Sequence, residues 1–360
     1  MTRLPTTAAV LRDARGAYTL EALQLDPPGP GEVVVRIRGA GICHTDLLPR
    51  SPLVPTPVVT GHEGAGVVEA VGVGVVDLAV GDHVVLSMDS CGSCSSCVAA
   101  RPTYCGQFWP RNMTGKRADG TTNAVDAGGN PVFARWFGQS SFATRTVVSA
   151  RSAIKVDPSL PIEMLGPLGC SVLTGAGTVL NALDVQPGST VTVFGAGAVG
   201  LSAVMAAQVA GATTIVAVDR NPKRLELAAE LGATETTDDA AQLRKPNAQY
   251  SIDTTGAAAV LSSALRVLRP GGVLGMVGTP REDWTLSMLD MTIGRTIRAV
   301  QMGDCAPQVF VPVLISLWRQ GRLPFDELIT TFPLHEIDAA EQAMRGGEVV
   351  KPVLLPEESA

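Results

Sequence analysis

The sequence predicts an α/β protein of two domains, one a doubly wound parallel sheet and the other mostly β. Its 360 residues exceed the usual size of one domain, about 100–200 residues. Residues 1 to about 155 hold short valine-rich runs broken by glycine and proline, which is typical of short antiparallel strands. Residues from about 170 to 300 alternate strand-like and helix-like runs, which indicates right-handed βαβ units.

Composition limits the possible partners. Hydrophobic residues make up 46% and charged residues 17%, which suits a loop-rich globular protein. The net charge of −6, without a block of lysine and arginine, offers no footprint for nucleic acid or an anionic membrane. The N-terminus lacks an apolar run followed by a cleavage site, and no stretch resembles a lipid-spanning helix. We therefore expect a soluble cytoplasmic protein that binds small molecules.

The first half contains the predicted β elements and one cysteine-rich turn. EVVVRIRGAG, PVVTGHEGAGVVEAVG and GDHVVLSM are predicted strands. The stretch CGSCSSCVAARPTYC follows them, with four of the seven cysteines inside fifteen residues. In a reducing cytosol such a cluster is more often a metal site than a disulfide framework.

The spacing of these four cysteines favours zinc. A tight turn rich in Gly and Ser can aim four thiolates at one tetrahedral centre, and a closed shell leaves no position for substrate. We therefore predict a structural zinc bound by Cys91, Cys94, Cys97 and Cys105. A disulfide pair and an iron–sulfur cluster are the alternatives.

The second half contains the alternating elements of a nucleotide-binding domain. TVTVF precedes GAGAVG, in which Gly195, Gly197 and Gly200 form G-x-G-x-x-G at the start of an apolar helix. These glycines permit a tight turn, the approach of a pyrophosphate and close helix–strand packing, so a Rossmann domain is predicted. Asp219 ends the next strand about 20 residues further on, where an acid binds the ribose hydroxyls and repels a 2′-phosphate. NAD is therefore favoured over NADP.

Some features of this domain leave alternatives open. Arg220, beside Asp219, could instead accommodate a phosphate. Arg224, on the helix that follows, is a further candidate cofactor contact. The domain continues through QYSIDTTG, AAAVLSSALRVL and GGVLGMVG, and the last sixty residues include the helical run PQVFVPVLISLWRQGR and a closing strand, KPVLL.

Two of the remaining cysteines, Cys43 and Cys170, can be assigned a function only when they are considered together with a set of motifs. Taken singly, Cys43 or Cys170 is expected to be a small buried hydrophobe. The chain also contains G-H-E-x-x-G-x-x-x-x-x-G from Gly61 to Gly72, FGQSSFAT, LGPLGC and VFGAGAVGLSAV. With the four-cysteine loop, these motifs closely resemble the zinc-dependent medium-chain alcohol dehydrogenases, nearest to the aryl or benzyl alcohol dehydrogenase branch. The similarity runs nearly end to end.

The resemblance implies a GroES-like catalytic domain, residues 1–170 and 301–360, around a Rossmann domain, residues 171–300. It also implies two zinc ions per chain, NAD as cofactor, a homo-oligomer of two or four subunits, and oxidation of a primary aromatic or allylic alcohol to the aldehyde. A polyol- or threonine-type zinc dehydrogenase is the nearest alternative. A zinc-stapled nucleotide sensor without turnover is an alternative of another class.

The resemblance further assigns residues around a catalytic zinc. Cys43, His62 and Cys170 would bind it, and Glu63 would lie behind it or ligate it transiently. Asp46 would fix the orientation of His62.

Other assignments concern proton transfer, cofactor and substrate. Thr45 would carry the alcohol proton, whereas His44 and Lys351 would contact the NAD pyrophosphate. Alignment to the family places Met88, Trp136 and Thr279 near the substrate.

Two features depart from the family pattern, and one cysteine has no place in it. Leu48 stands where many relatives have a proton-relay histidine. The segment TETTDDAAQLRKPNAQY is short, so a peripheral helix there is expected to be reduced. Cys305 fits no ligand motif and is predicted to be a spare thiol.

Overall fold

The structure is a computed structural model that describes residues 2–51, 54–239, 247–280 and 282–356. It divides into two compact units. The first comprises Met1–Cys170, Ala306–Pro312 and Leu328–Ala360, and the second comprises Ser171–Cys305 and Val313–Glu327. The domain bounds proposed from the sequence stay a prediction beside this division. The expected reduction of a peripheral helix falls partly on residues 240–246, which lie outside the described residues.

The strands, numbered in chain order, are short in the first half and regular in the second. They are β1 (Leu4–Leu11), β2 (Tyr18–Leu25), β3 (Glu32–Gly41), β4 (Val58–Val59), β5 (Glu63–Val71), β6 (His83–Leu86), β7 (Ala124–Val125), β8 (Pro131–Val132), β9 (Arg145–Ser149), β10 (Ala153–Val156), β11 (Thr190–Phe194), β12 (Thr214–Val218), β13 (Glu235–Thr237), β14 (Ala248–Asp253), β15 (Leu268–Met276), β16 (Thr296–Ala299), β17 (Ile329–Pro333) and β18 (Lys351–Leu355).

The longer helices belong to the second half of the chain. The α-helices are α1 (Ser95–Val98), α2 (Phe108–Asn112), α3 (Ser171–Gly177), α4 (Ala198–Val209), α5 (Pro222–Glu230), α6 (Ala258–Arg266), α7 (Met288–Met291), α8 (Pro307–Arg319) and α9 (Ile337–Gly346). Three short 3₁₀ helices, His44–Arg50, Trp136–Gly138 and Gly166–Gly169, adjoin the candidate site. None of the helices in the described residues has the length and apolar character needed to cross a bilayer.

The first unit contains two sheets. One has the strand order β4-β1-β2-β7-β8, and the other has β10-β6-β5-β3-β18-β17 with β9 also paired to β3. β3 lies at the centre of the second sheet because its valine-rich sequence is buried along most of its length, including Val33, Val35 and Ile37. Its pairs with β5, β9 and β18 are antiparallel. Side chains from α9, such as Ile337 and Met344, complete this core.

The second unit contains a parallel sheet with the order β13-β12-β11-β14-β15-β16. With β11 as the first strand, this is the order 3-2-1-4-5-6 of the Rossmann fold. Phe194, Val216 and Leu274 pack with α6 residues such as Leu261 in the core. The predicted fold class, a Rossmann sheet domain plus a mostly β domain, is therefore confirmed.

Candidate active site and metal centres

The pairing of β3 with β5 brings Cys43 and His62 together. Gly41, the last residue of β3, lies opposite Glu63, the first residue of β5. Cys43 follows Gly41 by two residues, and His62 immediately precedes Glu63. Both side chains therefore arise at the same end of the sheet, although 18 residues separate them along the chain.

Cys170 reaches this place because a glycine-rich turn packs directly against the sheet. A Cβ atom on Gly166 would lie 2.0 Å from the backbone oxygen of Glu63, and one on Gly169 would lie 1.9 Å from that of Leu86. Side chains at these glycines would push the turn away. The glycines of LGPLGC thus allow the close approach that delivers Cys170 to the end of β5.

The result is a compact group of potential metal ligands. One ligand atom from each of Cys43, His62, Glu63 and Cys170 lies within 4.8 Å of the other three. His62 Nε2 is 3.1 Å from Cys170 Sγ. A tetrahedral zinc with bonds of about 2.0–2.3 Å holds its ligand atoms about 3.5–3.8 Å apart. Two thiols and one imidazole at this spacing fit zinc and need only small shifts to bind it.

Asp46 orients His62 from behind. The His62 Nδ1 atom lies 2.7 Å from Asp46 Oδ1, and both side chains are buried. Although burial acts in the opposite direction, the charge of Asp46 and its hydrogen bond raise the pKa of His62 well above the usual value. The bond occupies Nδ1, so Nε2 is the nitrogen that faces the thiols as a basic ligand.

Glu63 is held by a buried ion pair with Lys351. Lys351 Nζ lies 2.8 Å from Glu63 Oε2 and donates to the Ile42 oxygen at 2.8 Å. The carboxylate passes over Gly41, where a Cβ atom would lie 2.2 Å from Oε2. Burial raises the pKa of Glu63, and the Lys351 ammonium opposes that shift. Burial lowers the pKa of Lys351, but Glu63, Cys43 and Cys170 together outweigh it and the net shift is upward.

Lys351 is buried at the first position of β18. Its side chain is buried, with only 2% of the residue exposed, and both described bonds are to protein atoms. The NAD pyrophosphate contact implied for Lys351 by the family resemblance stays a prediction beside this ion pair. Because β18 pairs with β3, the first residue of β18 lies beside the end of β3 and hence beside Glu63.

The 3₁₀ helix after Cys43 carries three further residues of interest. Thr45 Oγ1 lies 3.9 Å from Cys43 Sγ, so its hydroxyl adjoins the metal ligands. His44 is exposed and Leu48 is half-buried. Thr45 is thus the member of this helix placed to contact a molecule bound beside Cys43.

The segment that follows Arg135 packs against His62 and Asp46. Of its residues, only Trp136 is assigned to the site from the sequence. Trp136, expected near the substrate, has no exposed surface, and its Nε1 donates to Asp46 Oδ1 at 3.1 Å. The ring of Phe137 stacks on His62, with centroids 4.5 Å apart. Gln139 donates to the His62 oxygen and accepts from the Gly64 nitrogen.

Sequence reasoning did not single out Phe137 and Gln139. They lie in FGQSSFAT, one of the motifs that carry the family resemblance, but nothing in the motif shows what its side chains contact. Met88, also expected near the substrate, is buried two residues after the end of β6.

The four-cysteine loop forms the second group of ligands. One sulfur from each of Cys91, Cys94, Cys97 and Cys105 lies within 4.8 Å of the others. Backbone N–H groups donate to three of the sulfurs: Cys94 N to Cys91 Sγ, Gly106 N to Cys94 Sγ, and both Cys91 N and Gln107 N to Cys105 Sγ. The arrangement offers four sulfurs and fits a closed tetrahedral zinc site.

The second unit holds the candidate nucleotide site. Gly195 has a φ of +91°, and a Cβ atom on Gly200 would lie 1.7 Å from the Gly195 oxygen, so both positions require glycine. A Cβ atom on Gly197 would meet nothing within 4 Å, which leaves open space at the start of α4. An anion can therefore approach the N-terminus of this helix.

Asp219 lies beside this turn. Its Oδ2 accepts a hydrogen bond from the Ala196 nitrogen at 2.6 Å, and its Oδ1 accepts one from the Asn221 nitrogen. Arg224 lies on α5, and its buried Nε has no hydrogen-bond partner among the described residues. Thr279 is exposed in the same unit. Cys305 is buried in this unit, apart from both groups of ligands, and burial raises its pKa to about 12.

Comparison with known proteins follows the same division of the chain. Residues 29–158 match the family model of the alcohol dehydrogenase GroES-like domain, and residues 198–317 match that of the zinc-binding dehydrogenase. Geraniol dehydrogenase of Castellaniella defragrans is 43% identical over 362 residues, covering 97% of each chain.

Two solved structures are similar over nearly their whole length. The alcohol dehydrogenase zinc-binding domain protein from Burkholderia ambifaria is 44% identical with a TM-score of 0.95, and the alignment covers 99% of this chain and 100% of that one. Benzyl alcohol dehydrogenase from Acinetobacter calcoaceticus is 38% identical with a TM-score of 0.93, covering 98% of this chain and 100% of that one.

Proposed function

This chain belongs to the zinc-dependent medium-chain alcohol dehydrogenases, and on that premise we propose that it oxidises primary aromatic or allylic alcohols reversibly to aldehydes with NAD. The oxidoreductase class, the small alcohol substrate and the use of zinc and NAD(P) follow from the family. The substrate class, the preference for NAD and the number of zinc ions are proposals.

The observation that carries the proposal is the convergence of Cys43, His62 and Cys170 at one end of a sheet. Two thiolates and one imidazole form the ligand set known for catalytic zinc in alcohol dehydrogenases, in which the fourth position stays open for water or substrate. Zinc bound there supplies a Lewis acid that polarises the oxygen of the substrate. We propose Cys91, Cys94, Cys97 and Cys105 as ligands of a second, structural zinc.

The protein's own side chains prepare this centre. Asp46 fixes His62 so that Nε2 faces the thiols of Cys43 and Cys170 as a ligand. Lys351 holds the carboxylate of Glu63 at 2.8 Å. This bond keeps Glu63 behind the ligands, and a transient approach of Glu63 to the metal would require it to break. We still propose Glu63 as an occasional ligand, because one of its oxygens lies within 4.8 Å of the ligand atoms of Cys43, His62 and Cys170.

The proton of the alcohol leaves through Thr45. Its Oγ1 adjoins Cys43, so the hydroxyl can accept the substrate proton while donating its own to the next acceptor. Leu48 offers no group that could continue the relay. With NAD bound, its nicotinamide ribose would supply the next acceptor for the proton held by Thr45.

Asp219 is the basis for preferring NAD. Its carboxylate is positioned by the Ala196 and Asn221 nitrogens beside the G-x-G-x-x-G turn. An acid there binds ribose hydroxyls and repels the 2′-phosphate of NADP. We propose Arg224 and His44 as further contacts to the cofactor.

The substrate class is proposed from two relatives and one buried side chain. Geraniol is a primary allylic alcohol and benzyl alcohol a primary aromatic one, and dehydrogenases named for them align with nearly all of this chain. Met88 is buried and apolar, and alignment to the family predicts that it lies near the substrate. Burial of apolar surface contributes about 25 cal/mol per Å², so a benzyl or allylic group should bind much better than ethyl.

A panel of alcohols tests this proposal. Zinc-replete enzyme is assayed by NADH absorbance with benzyl alcohol, geraniol, ethanol, sorbitol and threonine, and metal content is measured on the same sample. The proposal predicts the highest kcat/KM for benzyl alcohol or geraniol, a preference for NAD over NADP, and two zinc ions per chain.

Different outcomes point to different errors. Equal kcat/KM for ethanol and benzyl alcohol would reject the substrate class, and a preference for sorbitol or threonine would favour the polyol- or threonine-type alternative. Nucleotide binding without turnover of any alcohol would favour a sensor. The expected homo-oligomer stays a prediction that sedimentation can test.

A further inference from the structure

We propose that Trp136 is a positioning residue that acts through Asp46 to fix His62, and thereby sets how tightly the catalytic zinc is held. The inference rests on the proposed zinc site at Cys43, His62 and Cys170. It gives Trp136 a role other than the substrate contact expected from the sequence.

The argument begins with the contacts of Asp46. Its Oδ1 accepts three hydrogen bonds, from His62 Nδ1 at 2.7 Å, the Gly61 nitrogen at 3.0 Å and Trp136 Nε1 at 3.1 Å. Its Oδ2 accepts one from the Cys43 nitrogen at 3.1 Å. Asp46 has no exposed surface, so these four donors replace the water that a carboxylate otherwise requires.

Trp136 is the donor that does not come from the ligand-bearing segments. Cys43 is itself a ligand, Gly61 adjoins His62, and His62 is the side chain to be positioned. Trp136 lies 90 residues from Asp46 along the chain. It is therefore the contact that ties the carboxylate to a separate part of the unit and limits its rotation.

The backbone of Trp136 is itself firmly placed. Its nitrogen donates to Ser140 Oγ at 2.7 Å, and Ser140 Oγ donates to the Val59 oxygen at 2.6 Å. Its oxygen accepts from the nitrogens of Gln139 and Ser140. A donor on so constrained a backbone holds its acceptor in place rather than following it.

The neighbouring Phe137 supports the same reading. Its φ of +50° lies in the left-handed region that bulky residues avoid. This conformation accompanies a ring stacked on His62 at 4.5 Å with an interplanar angle of 29°. Trp136 thus reaches the edge of the imidazole through Asp46, while Phe137 covers its face. Strained backbone that places a side chain on a ligand is typical of a functional site.

The test compares Trp136→Phe with Trp109→Phe. The first removes the N–H while keeping an aromatic ring, and the second makes the same change at a side chain that is 60% exposed. Zinc release to a chromophoric chelator is followed in each holoenzyme. The two zinc sites should release metal in two kinetic phases, and the phase that is missing from Cys170→Ser is the one that belongs to the catalytic site, called the catalytic phase. Partners of a ligating histidine typically contribute 10–100-fold to metal affinity. Trp136 contacts Asp46 and not His62 itself, so its effect should lie at the low end of this range. We expect the catalytic site of Trp136→Phe to bind zinc about tenfold more weakly, with no change in the other phase.

A double-mutant cycle separates positioning from packing. In an Asp46→Asn background, Trp136→Phe should weaken zinc binding by much less than tenfold, because the acceptor through which Trp136 acts has changed. Additive effects, or parental zinc affinity in Trp136→Phe, would overturn the proposal. If the parent enzyme binds no zinc at Cys43, His62 and Cys170, the proposed function itself is overturned.

A measurement on the parent guards against a variant that does not fold. The chain has four tryptophans, so ¹⁵N-tryptophan labelling gives four indole N–H resonances. Trp→Phe variants at the other three positions assign their own resonances and leave that of Trp136 by elimination. Removal and return of the catalytic zinc should shift the Trp136 resonance and leave that of Trp284, in the other unit, unchanged. If the chemical shift of the Trp136 resonance does not change when zinc is removed and returned, the inference is contradicted, even if Trp136→Phe cannot be purified.

Discussion

The two groups of cysteines in the first unit are assembled in opposite ways. Cys91, Cys94, Cys97 and Cys105 come from one turn, and backbone N–H groups donate to three of their sulfurs. Cys43, His62 and Cys170 come from three distant segments and are surrounded by the charged side chains of Asp46, Glu63 and Lys351. The first is built by local backbone geometry and the second by tertiary structure.

Charge explains the difference in part. Four thiolates around Zn²⁺ carry a net charge of −2, whereas two thiolates and an imidazole leave the metal formally neutral. The first group is mostly half-buried, where solvent and amide dipoles can stabilise that charge. Hydrogen bonds from the Ser93 and Cys94 backbone lower the pKa of Cys91 to about 5. A buried site cannot rely on solvent, so it needs paired side chains.

The first prediction tests whether the two groups have separate functions. Cys170→Ser should lower kcat by at least about 10³-fold, equivalent to roughly 4 kcal/mol, because an essential metal ligand is lost. The melting temperature should stay close to that of the parent, and one zinc per chain should remain. Steady-state kinetics, calorimetry and metal analysis of one preparation check this. A variant that keeps both zinc ions would refute the assignment of Cys170.

The second prediction concerns the side chains that support the buried group. Lys351→Met leaves Glu63 as an uncompensated buried carboxylate, a change that typically costs about 3–5 kcal/mol. We expect the melting temperature to fall by roughly 6–20 °C. Lys351→Arg, which keeps the charge, is the control and should lose much less.

The pH dependence of this loss has a definite sign. Without Lys351, the pKa of Glu63 should rise further above its unfolded value, because burial already raises it and the opposing ammonium is gone. The penalty is then complete above that pKa and disappears as the carboxyl is protonated. The gap in melting temperature between Lys351→Met and the parent should therefore be smaller at pH 5 than at pH 8. A gap independent of pH would mean that Glu63 is not the group left unpaired.

This contrast also determines what the sequence could predict. The four-cysteine site could be predicted because Cys91, Cys94 and Cys97 recur at a fixed short spacing. The Rossmann fold could be predicted because strand, glycine turn and helix are consecutive. Cys43, His62 and Cys170 were grouped only by resemblance to a family, since their spacing along the chain has no meaning without the β3–β5 register.

The partners of these residues were harder still to predict. The Glu63–Lys351 pair joins residues 288 positions apart, and nothing local to either one indicates the other. Alignment to the family places Trp136 near the substrate, and that contact stays a prediction. Its indole N–H could not be assigned a partner until Asp46 was located in space.

The third prediction addresses the locally built group. Cys94→Ser should lower the melting temperature by roughly 5–10 °C, since a metal-stapled loop is lost, while kcat of the folded enzyme should change little. Cys305→Ser is the matched control, because Cys305 is a buried thiol outside both groups and should cost less. If Cys94→Ser is as heat-resistant as the parent, the loop does not depend on metal for its stability.

The last and smallest effect concerns the position that only the second group leaves open. A closed four-thiolate site exchanges no protons with substrate, but an open site must release one for each alcohol oxidised. Leu48 lies three residues after Thr45, and no ionisable side chain at that position continues the relay. Leu48→His would place an imidazole there, and neutral imidazole accepts protons above a pH of about 6.5. Because it acts one step beyond Thr45, we expect a gain in oxidation rate of only a few fold, far below the roughly 10²–10⁴-fold of direct general acid–base help.

The gain should appear at pH 7–8, vanish below pH 6, and be absent when Thr45→Val is combined with Leu48→His. The measurement is kcat for a deuterated and an undeuterated alcohol, so that rates are compared where hydride transfer limits turnover. A gain that survives Thr45→Val would show that the proton reaches solvent without the Thr45 hydroxyl.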